Sequence, residues 1–248
     1  MARGNSFLSK VLKGAEWRQI QDYLSPAILD VLKPAELRKQ TWALAKPWVK
    51  RSYWKTEKAQ VLDHVDRVLF ARFKPSEHDD SNANQNRAQQ LLKLYFFQIM
   101  CQDSAILDLR YQAFSSQGSA MNWEPSPLYM EWDPDFIAPL RDIYAGFYGD
   151  NTSAFDDGLA ALNLLPARDI FIQHFGMGDQ RTTEFKLSHF HDTFHQTFTR
   201  CHEHGVQLHG NFLGLGLMLA CLYEHLETIG VACDVRQAYE QVSTLELV

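Results

Sequence analysis

Six of the ten histidines in this 248-residue chain lie between residues 189 and 209, and these side chains are the best suited to chemistry. Helical spacing over residues 186–204 places His191 and His195 four positions apart, one turn from each other on the same face. Two neutral imidazoles so arranged can share a zinc or iron ion and leave positions open for water or substrate. Two core histidines would show the same spacing, so the pattern leaves both interpretations open.

A projection at about 100° per residue separates the other histidines of this helix. His202 falls with His191 and His195 on the side that carries the apolar residues, so we expect all three to face the core. His202 is too distant to join the pair, because seven residues span about 10 Å of helix. His189 and His204 fall on the opposite side, where a solvated surface explains them.

The chain beyond this helix supplies the candidates for a third ligand. Gly205 predicts the end of the helix. The chain then returns through Gln207 and His209 to an apolar stretch that we predict to be a buried helix over residues 212–226, too short to span a membrane. Gln207 or His209 would therefore approach the histidine pair from a neighbouring element.

The segment Phe190-His-Asp-Thr-Phe-His195 resembles the His-Asp-x-x-His core of the coenzyme Q biosynthesis protein 4 family. Upstream, Ile143-Tyr-Ala-Gly-Phe147 resembles another family segment, and the resemblance covers about residues 135–228. It implies a helical, lipid-associated protein that binds a metal at this motif and acts on polyprenylated ring intermediates of ubiquinone synthesis. The family has Glu at the position of Gln207, whose neutral oxygen coordinates only weakly, and His209 would replace the acid if the turn shifts by two residues.

The leading hypothesis is thus a metal-dependent enzyme or enzyme-like protein that acts on an apolar aromatic or prenylated substrate. His191 and His195 would be the primary ligands of a divalent zinc or iron ion, Asp192 a ligand or general base, and His209 the residue that completes the site. The resemblance implies oxidative decarboxylation or hydroxylation of a ring with iron; zinc would act as a Lewis acid or hold structure. The walls of the substrate pocket would be Phe194, Phe198 and Phe212.

Two other functions are compatible with the same residues. In the first, a non-catalytic protein encloses a lipid or hydrophobic small molecule between the helix 212–226 and an aromatic loop at 115–132, and the histidines form hydrogen bonds within the core. In the second, the amino-terminal helices dock a partner through their aromatic residues. Aromatic residues at helical spacing favour core packing instead; those between residues 15 and 54 are Trp17, Tyr23, Trp42, Trp48 and Trp54.

Composition limits the partners. With 46% apolar residues, 22% charged residues and a net charge of −6, the chain has the profile of a soluble protein and no excess of positive charge for nucleic acid. Four cysteines without a Cys-x-x-Cys pair indicate a reducing compartment, which favours the cytoplasm. The basic, amphipathic start over residues 1–14 is compatible with a weak peripheral membrane contact, and nothing in the sequence excludes a homo-oligomer.

The overall pattern predicts a mainly α protein, a compact multi-helix bundle with a central buried C-terminal helix pair. An N-terminal helical region over residues 1–74 and a helical core over 87–248, which carries the histidine-rich site, form one compact unit on either side of a polar loop at 74–86. The expected helices span 56–73 with Thr56 as cap, 87–114 with a second start at Asp103, Asp133 to Gly149, and Thr152 to Pro166, whereas 167–183 is expected to be extended.

Overall fold

The protein is described by a computed structural model, which places residues 27–70, 83–117, 120–175 and 182–245. It is mainly helical, which confirms the predicted class. The helices are α1 (Ile28–Val31), α2 (Pro34–Val49), α3 (Arg51–His64) with a π-helical extension over Val65–Phe70, α4 (Ala83–Met100), α5 (Pro134–Tyr148), α6 (Thr152–Ala161), α7 (Arg168–Phe175), α8 (Leu187–Glu203), α9 (Phe212–Ile229) and α10 (Val235–Ser243).

Helix α9 is the centre of the fold and contacts α2, α4 and α8. It is the one helix in the described ranges whose length and hydropathy would suit a membrane span, but 83% of it is buried inside the fold. This confirms the prediction of a buried helix at 212–226. Gly214 permits the close approach of a neighbouring strand, because a Cβ there would collide with the sulfur of Met130.

Two short two-stranded antiparallel sheets lie between α4 and α5, where the sequence pattern predicted helix and loop. β1 (Ser104–Ile106) pairs with β4 (Tyr129–Glu131), and β2 (Phe114–Gln117) pairs with β3 (Ala120–Trp123). The helix predicted from Asp103 is therefore wrong. Its apolar residues belong to an extended chain whose hydrogen bonds come from a partner distant in sequence, which helical periodicity cannot detect.

The aromatic segment 115–132 packs on the core. Trp123, Tyr129 and Trp132 are all buried. The indole of Trp123 donates to the Asp108 carbonyl at 2.9 Å, and the Tyr129 hydroxyl donates to Glu57 Oε2 at 2.9 Å. Buried polar tips with partners of this kind are typical of structural aromatic residues.

Helix α5 begins and ends where the sequence predicted. The Asp133 carboxylate accepts a hydrogen bond from the Asp135 amide at 3.1 Å, as an N-cap residue does, and the helix ends at Gly149. The following helix α6 packs closely against it. A Cβ on Gly146 would collide with the backbone of Phe155, and one on Gly158 would lie 2.8 Å from the Pro139 carbonyl oxygen.

Other predicted boundaries were wrong. Helix α3 begins at Arg51 rather than Thr56, whose hydroxyl donates to the Ser52 carbonyl at 3.2 Å inside the helix. Residues 168–175, expected to be extended, form α7. The polar loop was predicted to reach residue 86, but α4 already begins at Ala83. The remainder of that loop up to residue 82 and the basic start at 1–14 lie outside the described residues.

Candidate functional site

Helix α8 carries the histidine-rich segment and confirms the predicted helix within one residue at each end. The Leu187 amide at its start donates to Glu227 Oε2 at 3.1 Å, which satisfies one of its free N–H groups. Gly205 lies just after its end with φ of 66°, a conformation that glycine adopts readily. The buried residues of the helix form one stripe: Leu187, Phe190, Thr197, Phe198 and Cys201.

The histidines do not face the core as predicted. The His191 side chain is 32% exposed, and His195 and His202 are exposed. The buried stripe is centred near Phe194 and Cys201, so these histidines lie roughly 60 to 100° from its centre on a helical wheel. The helical projection of the sequence had centred the buried face of α8 on the histidines, so the predicted buried face was displaced toward them from the observed one.

The relation between His191 and His195 matches their predicted spacing. Their rings are parallel within 2°, with centroids 5.9 Å apart. Asp192 Oδ1 lies 3.3 Å from His191 Nδ1, so this carboxylate is placed to orient the imidazole. The pair and its neighbour thus form a polar cluster at the edge of the buried stripe.

His209 belongs to a different group of contacts. Its ring stacks on Phe136 with centroids 5.4 Å apart, and its Nδ1 accepts a hydrogen bond from the Asn211 amide at 3.2 Å. The proton of the neutral ring is then on Nε2, which lies 3.6 Å from Asp133 Oδ2. Neither nitrogen offers a free lone pair in this arrangement.

The described residues therefore do not supply the ligand set that the sequence suggested. They hold no group of three or more His, Cys, Asp or Glu side chains placed to share a metal. Gln207 is exposed. His191, Asp192 and His195 remain neighbours, but the structure does not bring His209 to them, and the metal site stays a prediction.

Phe194, Phe198 and Phe212, which the sequence predicted to wall a pocket, do line one apolar cavity. The cavity lies between α5, α8 and α9 and has a volume of about 20 Å³. Its lining is mainly aromatic and aliphatic, with Tyr144 and Leu219 on its inner side. The structure thus brings the three phenylalanines together at one small cavity, and their contact with a substrate stays a prediction.

A second cavity, of about 40 Å³, lies on the other side of Tyr144 and Leu219, which line both cavities. It differs from the first cavity in three further phenols, which belong to Tyr95, Tyr148 and Tyr223. The hydroxyl oxygens of Tyr95 and Tyr144 are 2.5 Å apart. Burial raises the pKa of Tyr144 to about 12 and raises the pKa of Tyr95 well above its ordinary value, so both phenols stay protonated at neutral pH.

The comparisons with known proteins add no identification. No protein-family model, curated protein or solved structure matches this chain. The resemblance to the coenzyme Q family therefore stays a hypothesis carried by the motif alone.

A buried polar group on α9 was missed by the sequence interpretation. His225 is fully buried; its Nδ1 donates to the Leu109 carbonyl at 2.9 Å and its Nε2 accepts from Arg87 Nε at 3.0 Å. Nearby, Arg110 forms a buried bidentate pair with Asp108 at 2.8 and 3.0 Å. The sequence offered two signals: the charged residues Asp108 and Arg110 within or next to the apolar stretch 105–109, and a histidine within an apolar helix. Buried polar groups of this kind require partners.

Proposed function

We propose that this protein binds a hydrophobic small molecule in the space formed by the two cavities described above. The proposal rests on one observation: Tyr144 and Leu219 line both cavities and so form a wall between them. A rotamer change of these two side chains would join the cavities into one elongated site. The alternative considered from the sequence, a non-catalytic hydrophobic binding protein, is the function this geometry supports best.

Size explains why the cavities must join. A single water molecule needs roughly 10 to 15 Å³ of cavity volume. Cavities of about 40 and 20 Å³ therefore hold only small groups. A ring with a chain of several carbons requires both spaces and the volume between them. We therefore expect an elongated ligand that passes between Tyr144 and Leu219.

The linings suggest the orientation of the ligand. The cavity beside α8 has mainly aromatic and aliphatic walls, whereas the larger cavity adds the phenols of Tyr95, Tyr148 and Tyr223 to that of the shared Tyr144. A phenol can donate to an oxygen of the ligand while its ring contacts carbon. We infer that an oxygen-bearing end lies among the tyrosines and an apolar end among the phenylalanines. The aromatic segment 115–132, expected to help enclose the ligand, lines neither of these two cavities.

The proposal is tested with an environment-sensitive apolar dye, N-phenyl-1-naphthylamine, and the variant Leu219→Phe. The larger side chain would fill the space between the cavities and should weaken dye binding about tenfold or more. Leu217→Phe is the matched control, since Leu217 is also buried on α9 but lines neither cavity. Binding that is equal in both variants, or absent in the unaltered protein, would overturn the proposal.

The metal-dependent enzyme remains a second proposal, supported by the parallel rings of His191 and His195 and by Asp192 beside them. The fit to zinc or iron is incomplete, because the described residues hold no group of three or more His, Cys, Asp or Glu side chains placed to share a metal, even with Asp192 beside His191. We therefore derive no ring hydroxylation or decarboxylation from this site. The metal content of the purified protein, compared with that of a His191→Ala, His195→Ala double variant, tests this second proposal. Equal metal content in the two proteins would contradict it.

A further inference from the structure

Helix α2 exposes large apolar side chains within a strongly basic segment. Trp42 is 58% exposed and Val49 is 66% exposed, and seven residues, about two helical turns, separate them on one face. Trp48, near the end of the helix, is also exposed, at 37%. The sequence pattern favoured core packing for these tryptophans, and for Trp42 and Trp48 that prediction was wrong.

The sequence segment that contains this face carries a net charge opposite in sign to that of the whole protein. Between Lys33 and Lys58 there are eight lysines and arginines against two glutamates, a net charge of +6 in a chain that carries −6. Arg38 and Lys39 are exposed and flank Trp42 one turn earlier. Lys46 is a further cation of α2, and its ammonium lies 3.7 Å from the centroid of the Tyr53 ring of α3.

We propose that this face of α2, defined by Trp42, Val49, Arg38 and Lys39, docks on an anionic lipid surface. Tryptophan side chains favour the interface between headgroups and acyl chains, where an apolar ring and a polar N–H are both satisfied. Exposed lysine and arginine residues are attracted to anionic headgroups and keep their charges in the aqueous layer. The combination on one helix matches a peripheral membrane contact.

A membrane fits this face better than two other partners. Single-stranded nucleic acid also uses aromatic and basic residues, but its bases stack on rings, and the most exposed apolar residue here is the aliphatic Val49. A second copy of the chain would bring two basic segments of like charge together, which opposes association. The proposal depends on neither cavity and therefore stands apart from ligand binding.

The test is co-sedimentation of the full-length protein with vesicles of phosphatidylcholine alone and of phosphatidylcholine with phosphatidylserine. We expect binding to the anionic vesicles that weakens as salt is raised. The double variant Arg38→Gln, Lys39→Gln should weaken binding at least tenfold, at about fivefold for each charge. Trp42→Ser with Val49→Ser should weaken it comparably, and neither pair is buried, so both variants should fold.

Matched controls come from other surfaces. Leu165→Ser removes an apolar side chain that is 47% exposed elsewhere, and Lys186→Gln removes an exposed charge near α8. Both should bind as the unaltered protein does. Equal loss in controls and test variants, binding to a single-stranded oligonucleotide in place of vesicles, or a dimer that Trp42→Ser dissociates would each overturn the proposal. Dye binding in the cavities should be unchanged by all of these variants.

Discussion

The hydroxyl oxygens of Tyr95 and Tyr144 lie 2.5 Å apart inside the fold, and both side chains line the larger cavity. The bond joins α4 to α5 across a cluster of rings, in which Phe96 meets Tyr144 edge to face at 5.6 Å. Because burial keeps both phenols protonated, one donates and the other accepts. The polar contact therefore holds Tyr144 in the rotamer that separates the two cavities, and the rotamer change proposed for ligand binding would have to break it.

Tyr144→Phe should lower the free energy of unfolding by about 1 to 3 kcal/mol, because the buried hydroxyl of Tyr95 loses its described partner. Tyr95→Phe should also destabilise the protein. The double variant should cost less than the sum of the two single variants, since neither hydroxyl is then left without the other. Urea denaturation of the four proteins measures the coupling, and strictly additive losses would show that the bond contributes nothing.

Stability should depend on pH through His225. Burial lowers the pKa of His225 to about 3, whereas the unfolded side chain takes up a proton near pH 6.5. Between these two values the unfolded chain binds more protons, so the stabilisation is complete above about pH 6.5 and is lost as the pH falls toward 3. The slope from this residue should approach about 1.4 kcal/mol per pH unit.

A His225→Gln variant isolates this contribution, because Glu224 acts in the opposite sense. Burial raises the pKa of Glu224, so its folded form holds a proton more readily than the unfolded chain does. We expect the unfolding free energy of His225→Gln to change less steeply between pH 3 and 6.5 than that of the unaltered protein. Parallel profiles in urea titrations would assign the acid sensitivity to other groups.

Replacing Gly146 and Gly214 by alanine should destabilise the protein to different extents. Gly146→Ala places a methyl group against the backbone of Phe155 in α6, which cannot move without separating the helices. We expect a loss of about 1 to 3 kcal/mol, as in overpacked cores. Gly214→Ala meets only the flexible end of the Met130 side chain and should cost less. Thermal melting of both variants gives the order, and a reversed order would contradict the packing argument.

His209 should not affect metal content. Its ring stacks on Phe136 and its Nε2 faces Asp133, so His209→Ala should leave any bound zinc or iron at the level of the unaltered protein. The His191→Ala, His195→Ala variant should reduce it if those residues hold the ion. Elemental analysis of protein purified without added metal distinguishes the two. A loss of metal in His209→Ala would restore the three-histidine site that the sequence suggested.

Local signals determined much of the helical framework from sequence alone. The Asp133 cap, the Gly149 end, the glycine at 205 and the apolar stretch at 212–226 predicted their helices closely, because capping and periodicity are local properties of the chain. The prediction that Phe194, Phe198 and Phe212 would wall a substrate pocket came from the functional hypothesis rather than from periodicity, and these three side chains do line one small cavity. The spacing of His191 and His195 was readable in advance.

Only the tertiary structure decided which side of α8 is buried and which residues from distant segments meet. The histidines lie at the edge of the buried stripe because α9 and its neighbours cover the side of α8 centred on Phe194 and Cys201. A helical wheel does not show which side of a helix other elements will cover. Asp133 meets His209 and Tyr95 meets Tyr144 only once the helices pack. Contacts between residues so far apart in sequence depend on packing of the whole chain, which local patterns do not specify.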